Sequence, residues 1–154
     1  MTGFPACGAI AIGVLFGLLA LSAPAYAGQA DLDAEVQAIS NDYQAKAQPI
    51  NQIVARIKWS GIVDTRLFDA MEAELLNRYA TDTSSADSEY LSWLVQALAF
   101  SGLSKYQPTI EAVSASAPTA KLKRHSATSL RVLPQFARWN LIIANDTAGG
   151  AGSR

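Results

Sequence analysis

Few residues of this chain are suited to catalysis or metal binding. His125 is its only histidine, and Cys7 is its only cysteine. A hydrolytic triad needs a histidine beside a nucleophile and an acid, whereas a zinc site needs several nitrogen or sulfur ligands. One histidine without a neighbouring thiol supplies neither arrangement. We therefore expect no metal site, no catalytic residues and no cofactor.

Pairs of carboxylates offer a second route to chemistry, because two acids with separated pKa values can act as general acid and general base. Close pairs of this kind occur at Asp31/Asp33/Glu35, Asp69/Glu72 and Glu72/Glu74. Acids two residues apart point to different faces of a helix, and a spacing of three is common on solvated helix faces. No glycine-rich phosphate loop precedes a helix. The sequence therefore predicts a protein that is not an enzyme.

Charge is divided unevenly along the chain. Residues 28–104 carry 5 basic and 11 acidic side chains, a net charge of −6, whereas residues 105–154 carry 7 basic and 2 acidic side chains, a net charge of +5. No acid occurs from Ala112 to Asn145. The candidate partner-binding residues in this basic part are Lys121, Lys123, Arg124, His125, Arg131 and Arg138.

We interpret the basic part as a binding face. On one helix, Lys121, Arg124 and Arg131 fall on one side and Leu122 and Leu133 on the other. Such a face can attract an acidic protein, a phosphorylated glycolipid or anionic lipid headgroups. Alternatively, it is only solvated, or it pairs with the acidic half of the same or another copy. The overall negative charge argues against nucleic acid.

The single histidine has two interpretations within this region. His125 is either an ordinary residue at the boundary of the apolar stripe or a pH-responsive member of the basic face.

The first 27 residues are typical of a signal peptide. They contain no charged side chain, and 19 of them are hydrophobic. The apolar run Ala9–Ala23 has 15 residues, fewer than the roughly 20 that a membrane-spanning helix needs. Ala25-Tyr26-Ala27 supplies the small residues of a cleavage site. We predict cleavage near Ala27 and a periplasmic or secreted mature protein without a thiol; the alternative is an uncleaved signal anchor, because no basic residue precedes Lys46.

Helical periodicity recurs along the rest of the chain and predicts an all-α domain of about six or seven helices over residues 28–145. Asp31 or Asp33 is expected to cap the first helix, and Pro134 is expected to end the sixth. The glycine-rich residues 146–154 are expected to form a disordered tail.

An internal repeat links the helices in pairs. Trp59-Ser60-Gly61-Ile62 matches Phe100-Ser101-Gly102-Leu103 at an offset of 41 residues. Each match follows one helix and precedes another. A period near 40 with two helices per unit is typical of helical solenoids, in which successive pairs stack because one pair cannot bury its apolar face alone.

With this period, the matched Ser-Gly stops and the ending Lys121-Leu122-Lys123-Arg124-His125 before Leu130 and Leu133, the chain resembles the HEAT-repeat class over about residues 50–145. The resemblance implies a short right-handed helical-hairpin solenoid that binds other macromolecules, and it implies no reaction. The sixth helix follows Gly102 more closely than a third full unit requires. The alternative is an irregular bundle of four to seven helices.

The tryptophans are expected mainly in the core, with one aromatic of segment 91–100 or 136–143 exposed as a binding anchor. Together these observations predict an exported, non-catalytic helical scaffold that binds a protein partner through the basic C-terminal face. The alternative is an envelope-associated protein that binds anionic lipid or lipopolysaccharide through the same face.

Overall fold

The computed structural model describes residues 25–149, with side chains described for residues 31–147. Within this range the chain forms six α-helices and no β-strand, so the all-α prediction is confirmed. The helices are α1 (Ala25–Gln44), α2 (Ile50–Ile57), α3 (Thr65–Arg78), α4 (Ser85–Phe100), α5 (Gln107–Ser116) and α6 (Ala120–Gly149). A single turn of 3-10 helix, Ser104–Tyr106, precedes α5. The predicted signal peptide lies outside the described residues except for 25–27, which begin α1.

Side-chain caps set the starts of two helices. Asp64 accepts a hydrogen bond from the backbone N–H of Arg66 at the start of α3, and Ser84 accepts one from Asp87 at the start of α4. Each cap satisfies an N–H group that has no partner inside its helix. The expected cap of the first helix is wrong, because α1 begins at Ala25 and contains Asp31 and Asp33.

One layer of the fold contains α1, α3 and α5. Tyr106, just before α5, donates to Asp69 early in α3, and Ser116 at the end of α5 donates to Tyr79 after α3. The two helices therefore run in the same direction. Tyr43, near the end of α1, donates to Glu74 in the last part of α3, which places α1 on the other side of α3.

The second layer contains α2, α4 and α6. Near the start of α4, Ser88 donates a hydrogen bond to Thr119, which precedes α6. At the end of α4, the Phe100 carbonyl accepts a hydrogen bond from Asn140 of α6. α4 and α6 therefore also run in the same direction. The central helix α4 packs against α2, α3 and α6. Its buried residues include Leu91, Leu94 and Leu98, as expected for a helix that is apolar on two faces.

The prediction that Pro134 ends the sixth helix is wrong. α6 continues through Pro134 to Gly149, beyond the expected domain boundary at residue 145. Proline removes one backbone hydrogen bond of a helix. However, Pro134 is exposed, while Leu133 and Phe136 on either side of it are buried. Tertiary packing of these neighbours therefore holds the helix together across the proline.

Candidate partner-binding surface

The two Ser-Gly turns of the sequence repeat have the same local structure. The Ser60 hydroxyl donates to the Ile57 carbonyl at 2.6 Å and accepts from the Ile62 N–H at 3.1 Å. The Ser101 hydroxyl makes the equivalent bonds at the same two distances, with the residues three before and two after it. In each unit the serine joins the last turn of a helix to the link that follows.

Both glycines of the repeat pack closely against α6. Gly61 and Gly102 have φ values of +78° and +66°, a conformation that favours glycine. A Cβ on Gly102 would lie 2.4 Å from the Ala137 nitrogen, and one on Gly61 would lie 2.7 Å from Ile143 Cγ2. The two α6 contacts are separated by about 9 Å along the helix, similar to the spacing of packed helices. The last part of α6 therefore crosses the two turns in succession.

The matched aromatic residues meet on one side chain of α6. The ring of Phe136 lies 4.7 Å from that of Trp59 and 4.5 Å from that of Phe100, measured between centroids. Trp139 makes an edge contact with Trp59 at 5.4 Å. Trp59 is nevertheless 55% exposed and Trp139 38% exposed. Trp59 therefore departs from the expected core position, whereas Trp139 fits the expectation of one exposed aromatic in segment 136–143.

Asn140 was not identified by sequence reasoning. Its buried amide donates to the carbonyls of Phe100 and Ser101 at 3.1 and 2.8 Å. Carbonyls at the end of a helix lack partners inside that helix, so the amide caps α4 from a neighbouring element. A polar residue between Phe136 and Ile143 in an otherwise apolar stripe is the signal that could have revealed it.

Three of the candidate basic residues form a row on α6. Arg124, Arg131 and Arg138 are exposed and follow one another at intervals of seven residues, or about 10 Å. They lie opposite the buried stripe that contains Leu122 and Leu133. Within the described residues these three arginines make no salt bridge. We call them the arginine row; Lys123 is also exposed but lies toward the flank of the helix.

The remaining two candidates face α4. Lys121 forms an ion pair with Glu89, which also accepts from the indole Nε1 of Trp93 at 3.0 Å. His125 is partly buried, and this burial, together with the charge of Arg124, lowers the pKa of its imidazole. Lys121 therefore pairs with an acid from the acidic half of the same chain. The pKa of the His125 imidazole lies below that of a free histidine.

The acid pairs of the sequence are used in contacts between helices. Asp69 accepts hydrogen bonds from Tyr106 and Lys105, both at 2.7 Å, and Glu72 accepts one from Thr109. These bonds join α3 to the start of α5.

Glu74 lies in the most strongly perturbed ionic cluster. It accepts hydrogen bonds from Tyr43 at 2.5 Å, Lys46 at 2.7 Å and Arg78 at 3.0 Å. Lys46 also donates to the hydroxyl of Tyr90 at 2.8 Å. Burial raises the pKa of the Tyr43 hydroxyl, and the hydrogen bond to Glu74 adds to this effect. The cluster joins α1, α3 and α4, and both oxygens of Glu74 are occupied.

Among the described residues, five of the six large exposed apolar side chains gather where α6 crosses the turns, and the sixth, Leu76, lies on α3. The five are Trp59 at 55%, Val63 at 45%, Trp139 at 38%, Leu141 at 64% and Ile142 at 52% exposed. We call these five residues the apolar end.

Two clefts adjoin the apolar end. One, of about 330 Å³, is lined by Gly102, Leu103 and Leu141. The other, of about 420 Å³, is lined by Leu32 of α1 together with Val63 and Ile143.

Among residues 25–149, no three histidine, cysteine, aspartate or glutamate side chains are grouped so that they could hold a metal ion. No helix in the same part of the chain combines the length and apolar character needed to cross a membrane. Comparisons with protein-family models, curated proteins and solved structures find no significant match to this chain.

Proposed function

We propose that the chain is an exported, non-catalytic helical scaffold that binds a protein partner through the arginine row. Its architecture is a short helical-hairpin solenoid of the HEAT-like kind, right-handed as the resemblance implies. The matched turns at Ser60 and Ser101 support this architecture. It is also supported by α3 and α5 running in the same direction, and by α4 and α6 doing so. Export is supported by the sequence of residues 1–27.

The function depends on one observation, which is that the arginine row forms no ion pair with the described residues. Arginine forms bidentate hydrogen bonds with carboxylates, so a row of three suits a partner with an acidic surface. The surrounding sequence supports this choice, because no acid occurs between Ala112 and Asn145. Arg131 donates a hydrogen bond to Thr128 on the same helix, at 3.2 Å. Exposed arginines that form no ion pair contribute little to folding, and their charges remain available for binding.

A capture experiment with charge-matched variants tests the proposal. Arg124→Gln with Arg131→Gln lowers the net charge by two within the row. Ala73→Glu with Ala115→Glu makes the same change at exposed positions on other helices. From a periplasmic extract, we expect wild type and A73E/A115E to retain the same partner. We expect R124Q/R131Q to lose it. Equal recovery by all three proteins contradicts the proposal.

A second candidate function is binding of anionic lipid or lipopolysaccharide through the same face. The continuity of α6 through Pro134 favours it, because the row then presents three cations along one line. Vesicles of phosphatidylglycerol and dispersions of lipopolysaccharide provide the test across a salt series. This function is supported if R124Q/R131Q abolishes lipid binding and salt weakens it. If that variant still captures protein partners as wild type does, binding of a protein through the arginine row is excluded.

A further inference from the structure

The last part of α6 is apolar on sides where no other helix covers it. Successive residues of a helix are rotated by about 100°, so Trp139, Leu141 and Ile142 point in three different directions. All three are exposed, and Trp59 and Val63 extend the same surface from the preceding turn. Arg138 and Asn145 are exposed beside them. A group of exposed apolar side chains of this kind often marks a surface that another body covers.

The composition of this surface indicates a membrane interface. Two of the exposed side chains are tryptophans, which concentrate at the boundary between lipid and water because the indole is both apolar and polar. The ammonium of Lys58 lies 5.2 Å from the Trp59 ring, and Arg138 immediately precedes Trp139. Long cationic side chains can lie along apolar surface while their charges reach phosphate groups.

The first half of α1 reaches the same end of the molecule. Leu32, the eighth residue of α1, lines one cleft together with Ile143 of α6. In the sequence, the apolar run Ala9–Ala23 stands directly before α1. A segment of this kind is delivered to a membrane during export, whether or not it is later removed. The predicted signal segment therefore precedes the helix that reaches the apolar end.

We propose that a phospholipid bilayer covers the apolar end. Trp59, Trp139, Leu141 and Ile142 enter the interface, while Lys58 and Arg138 reach the phosphates. Because each residue advances a helix by about 1.5 Å, Arg131 and Arg124 lie roughly 10 and 20 Å along α6 from Arg138. The inference concerns the exposed apolar side chains and not these two arginines, so it goes beyond the proposed function and does not depend on it.

Apolar insertion, more than charge, drives this contact. Asp31 lies in the cleft beside Ile143, and Asp146 follows one turn after Ile142 on α6. These acids oppose the attraction of Lys58 and Arg138 for anionic headgroups. We therefore expect binding to persist in about 0.5 M salt, where interactions between exposed charges are strongly screened.

The three tryptophans provide a test in the protein as it is recovered from the exporting cell. Trp93 lies on α4 near Glu89, away from the apolar end, and serves as an internal control. Trp93→Phe keeps the two tryptophans at that end, whereas Trp59→Phe with Trp139→Phe keeps only Trp93. In vesicles of phosphatidylethanolamine and phosphatidylglycerol with brominated acyl chains, we expect strong quenching of the first variant and little of the second. Equal quenching of both variants, or of neither, overturns the proposal.

A second pair of variants tests the inserted side chains directly. Leu141→Gln with Ile142→Gln changes exposed residues and leaves the core intact, and Leu76→Gln changes a leucine of α3 that is 46% exposed elsewhere. The measurement is co-sedimentation of the mature protein with vesicles, after mass spectrometry has defined its N-terminus. We expect L141Q/I142Q to lower the partitioning of the protein into vesicles by roughly tenfold or more. L76Q and R124Q/R131Q should change it by less than about twofold. Equal partitioning of L141Q/I142Q and L76Q contradicts the proposal.

A second copy of the chain at the apolar end would give a different result. Sedimentation equilibrium without lipid would then show a dimer that L141Q/I142Q dissociates, and brominated lipid would not quench the tryptophans; this outcome overturns the proposal. R124Q/R131Q reports on the arginine row alone. Failure of the membrane contact and failure of the proposed function can therefore be distinguished.

Discussion

At the scale of single residues, Glu74 shows how a carboxylate with a strongly shifted pKa can be structural. Perturbed acids often mark active sites, but such a group needs a free lone pair directed at a substrate. The oxygens of Glu74 instead accept from Tyr43, Lys46 and Arg78, which belong to α1, to the turn after it and to α3. The shift therefore reflects the joining of helices.

The pKa of Glu74 predicts a specific dependence of stability on pH. Burial alone would raise this pKa, but hydrogen bonds from Lys46 and Tyr43 outweigh burial and lower it to about 2. A glutamate in the unfolded chain titrates near about 4.3. Because the folded-state pKa is the lower one, the carboxylate stabilises the fold above about pH 4.3, and this stabilisation is lost as the pH falls toward 2. We expect Glu74→Gln to lower the free energy of unfolding at pH 7 by about 1–3 kcal/mol.

Urea unfolding followed by circular dichroism checks this expectation. The difference in free energy between wild type and E74Q should shrink as the pH is lowered from about 5 toward 3. Glu111→Gln is the control, because Glu111 is exposed on α5 and accepts a hydrogen bond from Gln107 on the same helix. A difference for E74Q that stays constant across this pH range would show that the carboxylate charge is not responsible.

At the scale of elements, the two repeat glycines should differ in their tolerance of a methyl group. Both have positive φ, so alanine is strained at either position. A Cβ at Gly102 would meet the backbone of Phe136 and Ala137, whereas a Cβ at Gly61 would meet the side chain of Ile143. Because a side chain can move more easily than a helix backbone, we expect losses of about 2–4 kcal/mol for Gly102→Ala and about 1–2 kcal/mol for Gly61→Ala.

A double-mutant cycle separates the steric part from the backbone strain. Ile143→Ala removes the atoms that a Cβ at Gly61 would meet, so the cost of G61A should be smaller in the I143A background. The cost of G102A should not change in that background. Thermal and urea unfolding of the six proteins provide the measurements. Equal costs of G61A in both backgrounds would rule out the predicted contact between this turn and α6.

The sequence allowed prediction of local features more reliably than of the contacts between elements. The Ser60-Gly61 and Ser101-Gly102 turns could be found because serine and glycine have intrinsic conformational preferences. Pro134 was misleading, because its local preference is overridden by the burial of residues on both sides. The ion pair of Lys121 with Glu89 could not be predicted, since it depends on α4 and α6 running in the same direction.

The candidate surface was predicted only in part for the same reason. Helical spacing placed Lys121, Arg124 and Arg131 on one side. In the structure Lys121 pairs with Glu89 of α4, and the unbroken α6 adds Arg138 to the row of Arg124 and Arg131. The exposure of Trp59 could not be read from the sequence. It depends on where the last part of α6 crosses the preceding turns.

At the scale of the whole molecule, α4 is the centre around which the layers are built. It packs against α2, α3 and α6, and from Leu94 to Phe100 only Gln96 is not buried. α1 packs on one side of the assembly, where most of its described residues are exposed. In a stack of helix pairs, stability comes from the interfaces between neighbours, so an inner helix gains from two sides and an outer helix from one.

This arrangement predicts a gradient of local opening that hydrogen-exchange mass spectrometry can measure. Backbone amides of α4 should exchange most slowly, because exposing them requires separation from three helices. Amides of α1 and of α6 beyond Pro134 should exchange faster. Each of these segments can open while α4 stays packed against α2 and α3. Asn140→Ala should selectively increase exchange near the end of α4, where the amide caps Phe100 and Ser101, while Asn145→Ala on the exposed side of α6 should not. Uniform exchange across all helices would instead indicate a single cooperative bundle, in which no helix pair opens separately.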